Sequence, residues 1–183
     1  NPFPVINNTS IDNAVELINK AKKPFIVWGQ GVILGNAEIE FKDFVEKSGI
    51  PAAWTILGLS ALPTSHELNV GMVGMHGNYG PNILTNECDL LIAVGMRFDD
   101  RVTGDPNTYA SQAKIIHLDI DPAEINKNIN VDVPVIGDCK ESLKLITKKI
   151  QNKTHGKWIS RFDDLMKIEF EKVINSDLNP VKD

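Results

Sequence analysis

A chain of 183 residues, 42% of them hydrophobic, fits one domain of ordinary size that can bury a core without staples. Its formal net charge of -5, with no Lys/Arg cluster interleaved with aromatics, offers nothing to a phosphate backbone and excludes nucleic acid as a partner. Cys88 and Cys139 lie too far apart for a disulfide framework or a zinc site and read as reduced, buried thiols; with no signal peptide and no apolar run long enough for a bilayer, the expectation is a soluble, cytoplasmic protein without a membrane partner.

The chain starts at Asn1 without a methionine and carries Pro2 and Pro4, so residues 1–9 read as a linker within a longer protein. Ile11, Val15 and Ile18 then recur at helical spacing after Thr9 and Ser10, either of which can accept the free N–H groups of a first turn; this predicts a helix to Lys22, ended by Pro24. Residues 25–28 are a short apolar run bounded by glycine, a buried strand. Ile39, Phe41, Phe44 and Val45 line one side of a second helix that stops at Gly49, and residues 51–55 have strand character. The alternation continues with a helix over 81–87, strands over 90–94 and 114–120, a short helix over 122–128, a strand over 133–136 and a helix over 141–150. Strands alternating with helices imply an α/β fold: a doubly wound, mostly parallel sheet with helices on both faces, filling residues 10–152. Over 153–183, Trp158, Ile159, Phe162, Leu165, Met166 and Val173 recur at roughly helical intervals. That amphipathic tail either packs on the same domain or is a helical connector towards another domain; as a connector, it would be the least protected part of the chain.

In doubly wound sheets ligands sit outside the carboxyl ends of the strands, and most of the unusual residues fall in such loops. Gly29-Gln30-Gly31 follows the first strand, where glycines either form a tight turn or let the backbone approach a pyrophosphate. No acid occurs in 51–55 to hold a ribose, and the glycine spacing departs from GxGxxG, so a plain NAD-binding unit loses ground. Residues 71–80 hold four glycines and a lone histidine, His76, a flexible stretch that calls for a compensating contact. Residues 95–104 gather Arg97, Asp99, Asp100 and Arg101; the arginine forks suit phosphate, a surface ion-pair cluster is the plainer reading, and no further acids converge to make a metal site. Asp119 falls at a strand end, where a carboxylate can accept both hydroxyls of a ribose. Asp138, just past another strand, could bind an adenine amine or simply cap the next helix.

Four segments carry a family resemblance: GMHG at 74–77, NECDLLIAVG at 86–95, RFDDRVTG at 97–104 and HLDIDPAEI at 117–125. In order and spacing, over roughly residues 10–150, they are similar to the middle domain of the acetolactate synthase (acetohydroxyacid synthase) large subunit, a thiamine-diphosphate enzyme, and RFDDRVTG is the most specific. Pyruvate oxidase, or a non-catalytic nucleotide-binding module, is the alternative. An NAD-dependent deacylase-like enzyme has a related sheet, but two distant cysteines cannot build its zinc module.

The resemblance implies FAD bound in an extended pose, without a net redox role. Carried over by motif, the implied contacts are Gly29, Gly31, Thr55, Ile56, Val73, Gly74, Met75, His76, Gly95, Met96, Arg97, Asp99, Arg101, Val102, Asp119, Ile120, Asp138 and Cys139. Gln30 stands where many relatives have a third glycine, which puts that residue's backbone approach in doubt; the Met75 and Asp100 positions lie near the mouth of the family's active-site channel, where inhibitors bind. The implied parent condenses two pyruvates, or pyruvate and 2-oxobutyrate, with loss of carbon dioxide in isoleucine and valine biosynthesis. It uses thiamine diphosphate and Mg2+ held by other domains, and its implied partners are those domains, a second copy in a homodimer or tetramer, and a regulatory small subunit. The family's activating glutamate and GDG…N metal motif have no counterpart here, since Gly104-Asp105 runs into Pro106, so no residue of this chain is expected to be catalytic and the chain alone is expected to be inactive.

Overall fold

The computed structural model describes residues 3–175; the first two linker positions and the connector's residues 176–183 lie outside the described residues. Six strands form one all-parallel sheet: β1 (Pro24–Trp28), β2 (Ala52–Trp54), β3 (Asn69–Met72), β4 (Leu90–Val94), β5 (Lys114–Asp119) and β6 (Val133–Ile136), in the order β3-β2-β1-β4-β5-β6. The helices are α1 (Asn8–Lys20), α2 (Gly31–Leu34), α3 (Glu38–Ser48), α4 (Tyr79–Thr85), α5 (Asp100–Thr103), α6 (Cys139–Lys149) and α7 (Gly156–Glu169). None is long and apolar enough to cross a membrane among the described residues.

Alternation along the strands builds the two layers. Ile26 and Trp28 of β1, Leu90, Ile92 and Val94 of β4, and Ile116 and Leu118 of β5 face α1, α3 and α6, whose Ile11, Phe41, Phe44, Leu143 and Ile146 complete one core. Phe25, Val27, Leu91, Ala93 and Ile115 face the other way, towards Leu84 of α4 and the α7 residues Trp158, Phe162 and Leu165. Both faces are covered, so the central strands are continuous apolar runs, the doubly wound arrangement expected.

Local chemistry shifts several predicted boundaries. Asn7, not Thr9 or Ser10, caps α1, its side chain accepting from the Thr9 N–H at 2.8 Å, and α1 ends at Lys20 because Ala21 is extended. Ile39 is on α3 but points outward, 73% exposed, while Phe41, Phe44 and Val45 are buried as expected. The helix expected over 122–128 is a single 3-10 turn at Pro122–Glu124; Ile125 is extended and Asn126 is left-handed, its side chain turned to accept from Val131. β3, α2 and α5 were not foreseen. The opening segment is anchored too: Ile6 packs on the core and lies against Gly137, whose φ of +154° and lack of a Cβ leave room for it.

The tail's helix packs on its own domain. Trp158 donates its indole N–H to the Pro24 carbonyl at 2.8 Å and Phe162 stacks obliquely on Phe25 at 5.1 Å, so the apolar face is covered from within. Met166 does not share that face; it is 47% exposed.

Candidate functional site

The strand order reverses direction between β1 and β4: β2 and β3 extend the sheet one way and β5 and β6 the other. Loops leaving the two central strands therefore diverge and open a crevice between them. Backbone meets backbone at its floor. The Gly31 N–H donates to the Gly95 carbonyl at 2.8 Å and the Gly29 N–H to the Val94 carbonyl at 3.0 Å. A Cβ on Gly29 would stand 2.6 Å from the Gly95 oxygen, and one on Gly31 2.6 Å from the Gly95 Cα. These glycines are thus required by contact between the two loops, whatever else lies above them. Gln30 between them has ordinary right-handed helical angles, φ -61° and ψ -24°, so its position needs no third glycine.

Above this floor is a cleft of about 540 Å³, within the range of small-molecule sites. It brings together Gly29, Gly31, Thr55, Ile56, Val73, Met75, His76, Gly95, Met96, Arg97, Asp99, Arg101, Val102, Asp119, Ile120, Asp138 and Cys139. Gly74 is the one foreseen residue outside the lining. Its φ of +105° and the Arg101 carbonyl, 2.7 Å from where a Cβ would be, give it a purely backbone reason to be glycine. Sequence reasoning missed Phe3, Gln30, Leu34, Leu57, Met72 and Leu118 in the lining, which also includes Gly35 of the glycine-rich stretch. Phe3 was hidden by the linker assignment, whereas Gln30 and Leu57 adjoin foreseen residues and could have been taken with them.

The loop at 71–80 is held, not loose. The Asn82 amide clasps Gly74, accepting from its N–H and donating to its carbonyl, each at 2.9 Å; the Met75 N–H reaches the Arg101 carbonyl at 2.8 Å. Asn78 accepts from the Met72 N–H at 2.9 Å and donates to Glu169 of α7 at 3.2 Å, and the other Glu169 oxygen accepts from the Tyr79 N–H at 3.1 Å. The compensating contacts for four glycines come from within the protein.

The two walls differ in chemistry. Beyond β2 and β3 the lining is Thr55, Ile56, Leu57, Met72, Val73, Met75 and His76, chiefly apolar; beyond β5 and β6 it includes Asp119, Asp138 and Cys139. Arg97 lies between, its guanidinium 3.8 Å from Asp99, which also caps α5 by accepting from the Arg101 N–H at 3.1 Å. Asp138 caps α6, accepting from the Glu141 N–H at 3.0 Å, so the plainer reading of that acid holds while it also faces the cleft. Burial, with Asp138, Asp119 and Glu40 nearby, pushes the Cys139 thiol up to about 12, and burial beside Asp89 does the same to Cys88. Both remain thiols at neutral pH, and neither is bonded to the other. Burial also pushes Asp119 up, but the His117 ring nitrogen 3.5 Å from its Oδ2 and the backbone N–H groups of Asp121 and Ile120 outweigh it and hold the carboxyl below its ordinary value.

Sheet order and crevice together define a doubly wound α/β domain with a cleft at its switch point. Residues 11–146 match the family described as thiamine pyrophosphate enzyme, central domain, and the chain belongs to that family. It is 47% identical over 150 residues to a probable acetolactate synthase large subunit of Methanococcus aeolicus, covering 82% of this chain and 25% of that protein. It is 48% identical over 158 residues to the acetolactate synthase large subunit of Corynebacterium glutamicum, covering 86% and 25%. To a probable acetolactate synthase large subunit of Methanocaldococcus jannaschii it is 41% identical over 186 residues, covering 99% and 31%. The chain thus spans about a quarter to a third of the length of these relatives.

Proposed function

We propose that this chain is the FAD-binding central domain of an acetolactate synthase large subunit. The observation that carries the reading is the division of the cleft into two unlike halves about the β1/β4 switch point. In a doubly wound sheet each half can hold one nucleotide, its phosphate near the glycine turn after the inner strand and its ribose on an acid after the next strand out. The β4–β5 half has both parts, Gly95 after β4 and Asp119 at the end of β5, with Asp138 beyond. The β1–β2 half has the glycines but no acid after β2, and its wall is chiefly apolar, with Gln30, Thr55 and His76 as its polar members. An adenosine diphosphate moiety fits the first half and a flat, largely apolar ring system the second, with Arg97 and the glycine floor beneath the pyrophosphate; FAD has that division.

The parent reaction is the loss of carbon dioxide from one pyruvate and the joining of its remaining two carbons to a second pyruvate or to 2-oxobutyrate, for branched-chain amino acids. Thiamine diphosphate and Mg2+, held by other domains of the subunit, supply that chemistry, and FAD adds no net redox step. This chain's residues bind and orient the flavin and line the approach through Met75 and Asp100. The 183 residues by themselves form no acetolactate. Incubation with FAD followed by desalting tests the binding: retained flavin absorbance supports it, and a colourless protein refutes it. Supplying pyruvate, thiamine diphosphate, magnesium and FAD tests the second claim, which any turnover by pure protein would sink.

A further inference from the structure

His117 is fully buried in the middle of β5, on the face that Met96 and Phe98 cover. Its Nε2 lies 2.8 Å from the Met96 carbonyl oxygen, which can only accept, so the ring hydrogen is on Nε2. The same nitrogen is 3.5 Å from Oδ2 of Asp119, and the Phe98 ring meets the imidazole edge-on at 5.0 Å. Nδ1 is buried and has no partner. An unpaired buried acceptor is a standing cost, and an apolar residue in this strand would avoid it. The cost is balanced by what Nε2 does. It touches the two loops that bound the nucleotide half of the cleft: the one carrying Met96 and Arg97, and the strand end carrying Asp119.

We infer that His117 is a positioning residue for the nucleotide half of the site, pinning the Arg97 loop and the Asp119 carboxylate to one another. This rests on the FAD reading above. The Met96 carbonyl is fixed from below by His117 and the Phe98 carbonyl by the Asn128 amide at 2.6 Å, so the backbone on either side of Arg97 is held while its side chain is free to reach a phosphate. On the other side, Asp119 Oδ1 is occupied by the Asp121 N–H at 2.9 Å and Oδ2 faces His117, which together set the rotamer of the carboxylate. Without the imidazole donor the Met96 carbonyl loses its partner, and the distance between Arg97 and Asp119 is no longer set. The apolar wall depends on it less: it is built on β2, β3 and the loop at 71–80, which Asn78 and Asn82 hold, and it meets the loop after β4 at Arg101, four residues beyond Arg97, whose carbonyl accepts from the Met75 N–H.

The test compares His117→Leu, which removes the donor, with His117→Gln, whose amide nitrogen can occupy the place of Nε2. The full chain is titrated with FAD and, separately, with FMN, which lacks the adenosine part. His117→Leu weakens FAD by about tenfold, the scale of one hydrogen bond to a charged group, while FMN binding is unchanged; His117→Gln restores most of the FAD affinity. Equal loss for both flavins, or no loss for FAD, overturns the inference, because a general structural defect does not distinguish them. A second readout needs no flavin: the Asp119 carboxyl, followed by carbon NMR, titrates higher in His117→Leu than in wild type and near wild type in His117→Gln. If wild type binds no FAD, the cofactor reading fails and this readout decides on His117: a shift confined to the Leu variant supports the pin, and an unmoved Asp119 removes it.

Discussion

At Arg97 a fixed backbone carries a guanidinium that is 64% exposed and only 3.8 Å from Asp99, a loose pair in high dielectric. It gives up little by turning to a phosphate. Arg97→Ala should weaken FAD by about 1.5 to 3 kcal/mol, the range for hydrogen bonds to charged groups, and the exposure places the expectation at the lower end. Lysine should restore only part, since an ammonium cannot reproduce a forked contact; equal affinities of wild type and Ala variant by titration would take Arg97 out of the site. Asp119 carries a prediction of a different kind. Its folded pKa lies below the unfolded value of about 3.9, so its stabilisation is present above that value and fades as pH falls through the folded pKa. Urea unfolding from roughly pH 5 to pH 2 should show the gap between wild type and Asp119→Asn closing as the acid limb is descended. A gap that stays constant over that range would mean the carboxylate's charge contributes nothing to the fold.

Among the elements, α7 has the sharpest consequence. Trp158, Phe162 and Leu165 are buried against β1 and α4, and the indole donates to Pro24, so Trp158→Ala should cost about 3 to 5 kcal/mol in chemical denaturation. Hydrogen exchange should divide the tail: amides over 160–165 slow, as in β4, and those of the π-turn Phe170–Ile174 fast. Uniformly fast exchange over both would return α7 to the role of loose connector. The sequence left this open because helical spacing shows that an apolar face exists but not what covers it. The same limit separates the other elements. β4 was legible to the residue, since an apolar run bounded by turn residues has one reading when both faces are buried; β6 was legible too, as a short apolar run ending at a glycine, although its burial alternates. β3 was not: its four residues NVGM include a glycine at φ +109° and bury only Val70, and its pairing with β2 is irregular. The single turns α2 and α5 are too short to show a period. In the site, charged and glycine residues after strand ends stood out, whereas Phe3 and Leu118 line the cleft through chain path alone, and at Gly74 a glycine needed by a neighbouring carbonyl looks the same in sequence as one needed by a ligand.

For the molecule as a whole, the crevice and the covered central strands have one origin, the β1/β4 pairing, and that pairing joins segments far apart in the chain: β1 ends at Trp28 and β4 begins at Leu90. During synthesis, β1, β2 and β3 leave the ribosome with no β4 to receive them. Until it arrives, the all-apolar run of β1 presents a bare edge, the kind of surface on which nascent chains pair wrongly. A fragment ending at residue 88 should therefore associate into large particles in sedimentation or light scattering, while the full chain refolds from urea as a discrete species; a monomeric fragment with cooperative unfolding would refute this. Because the contacts that close the sheet are distant in sequence, refolding of the full chain should also be slow for its size. The crevice thus comes into being only when the second central strand slides in beside the first.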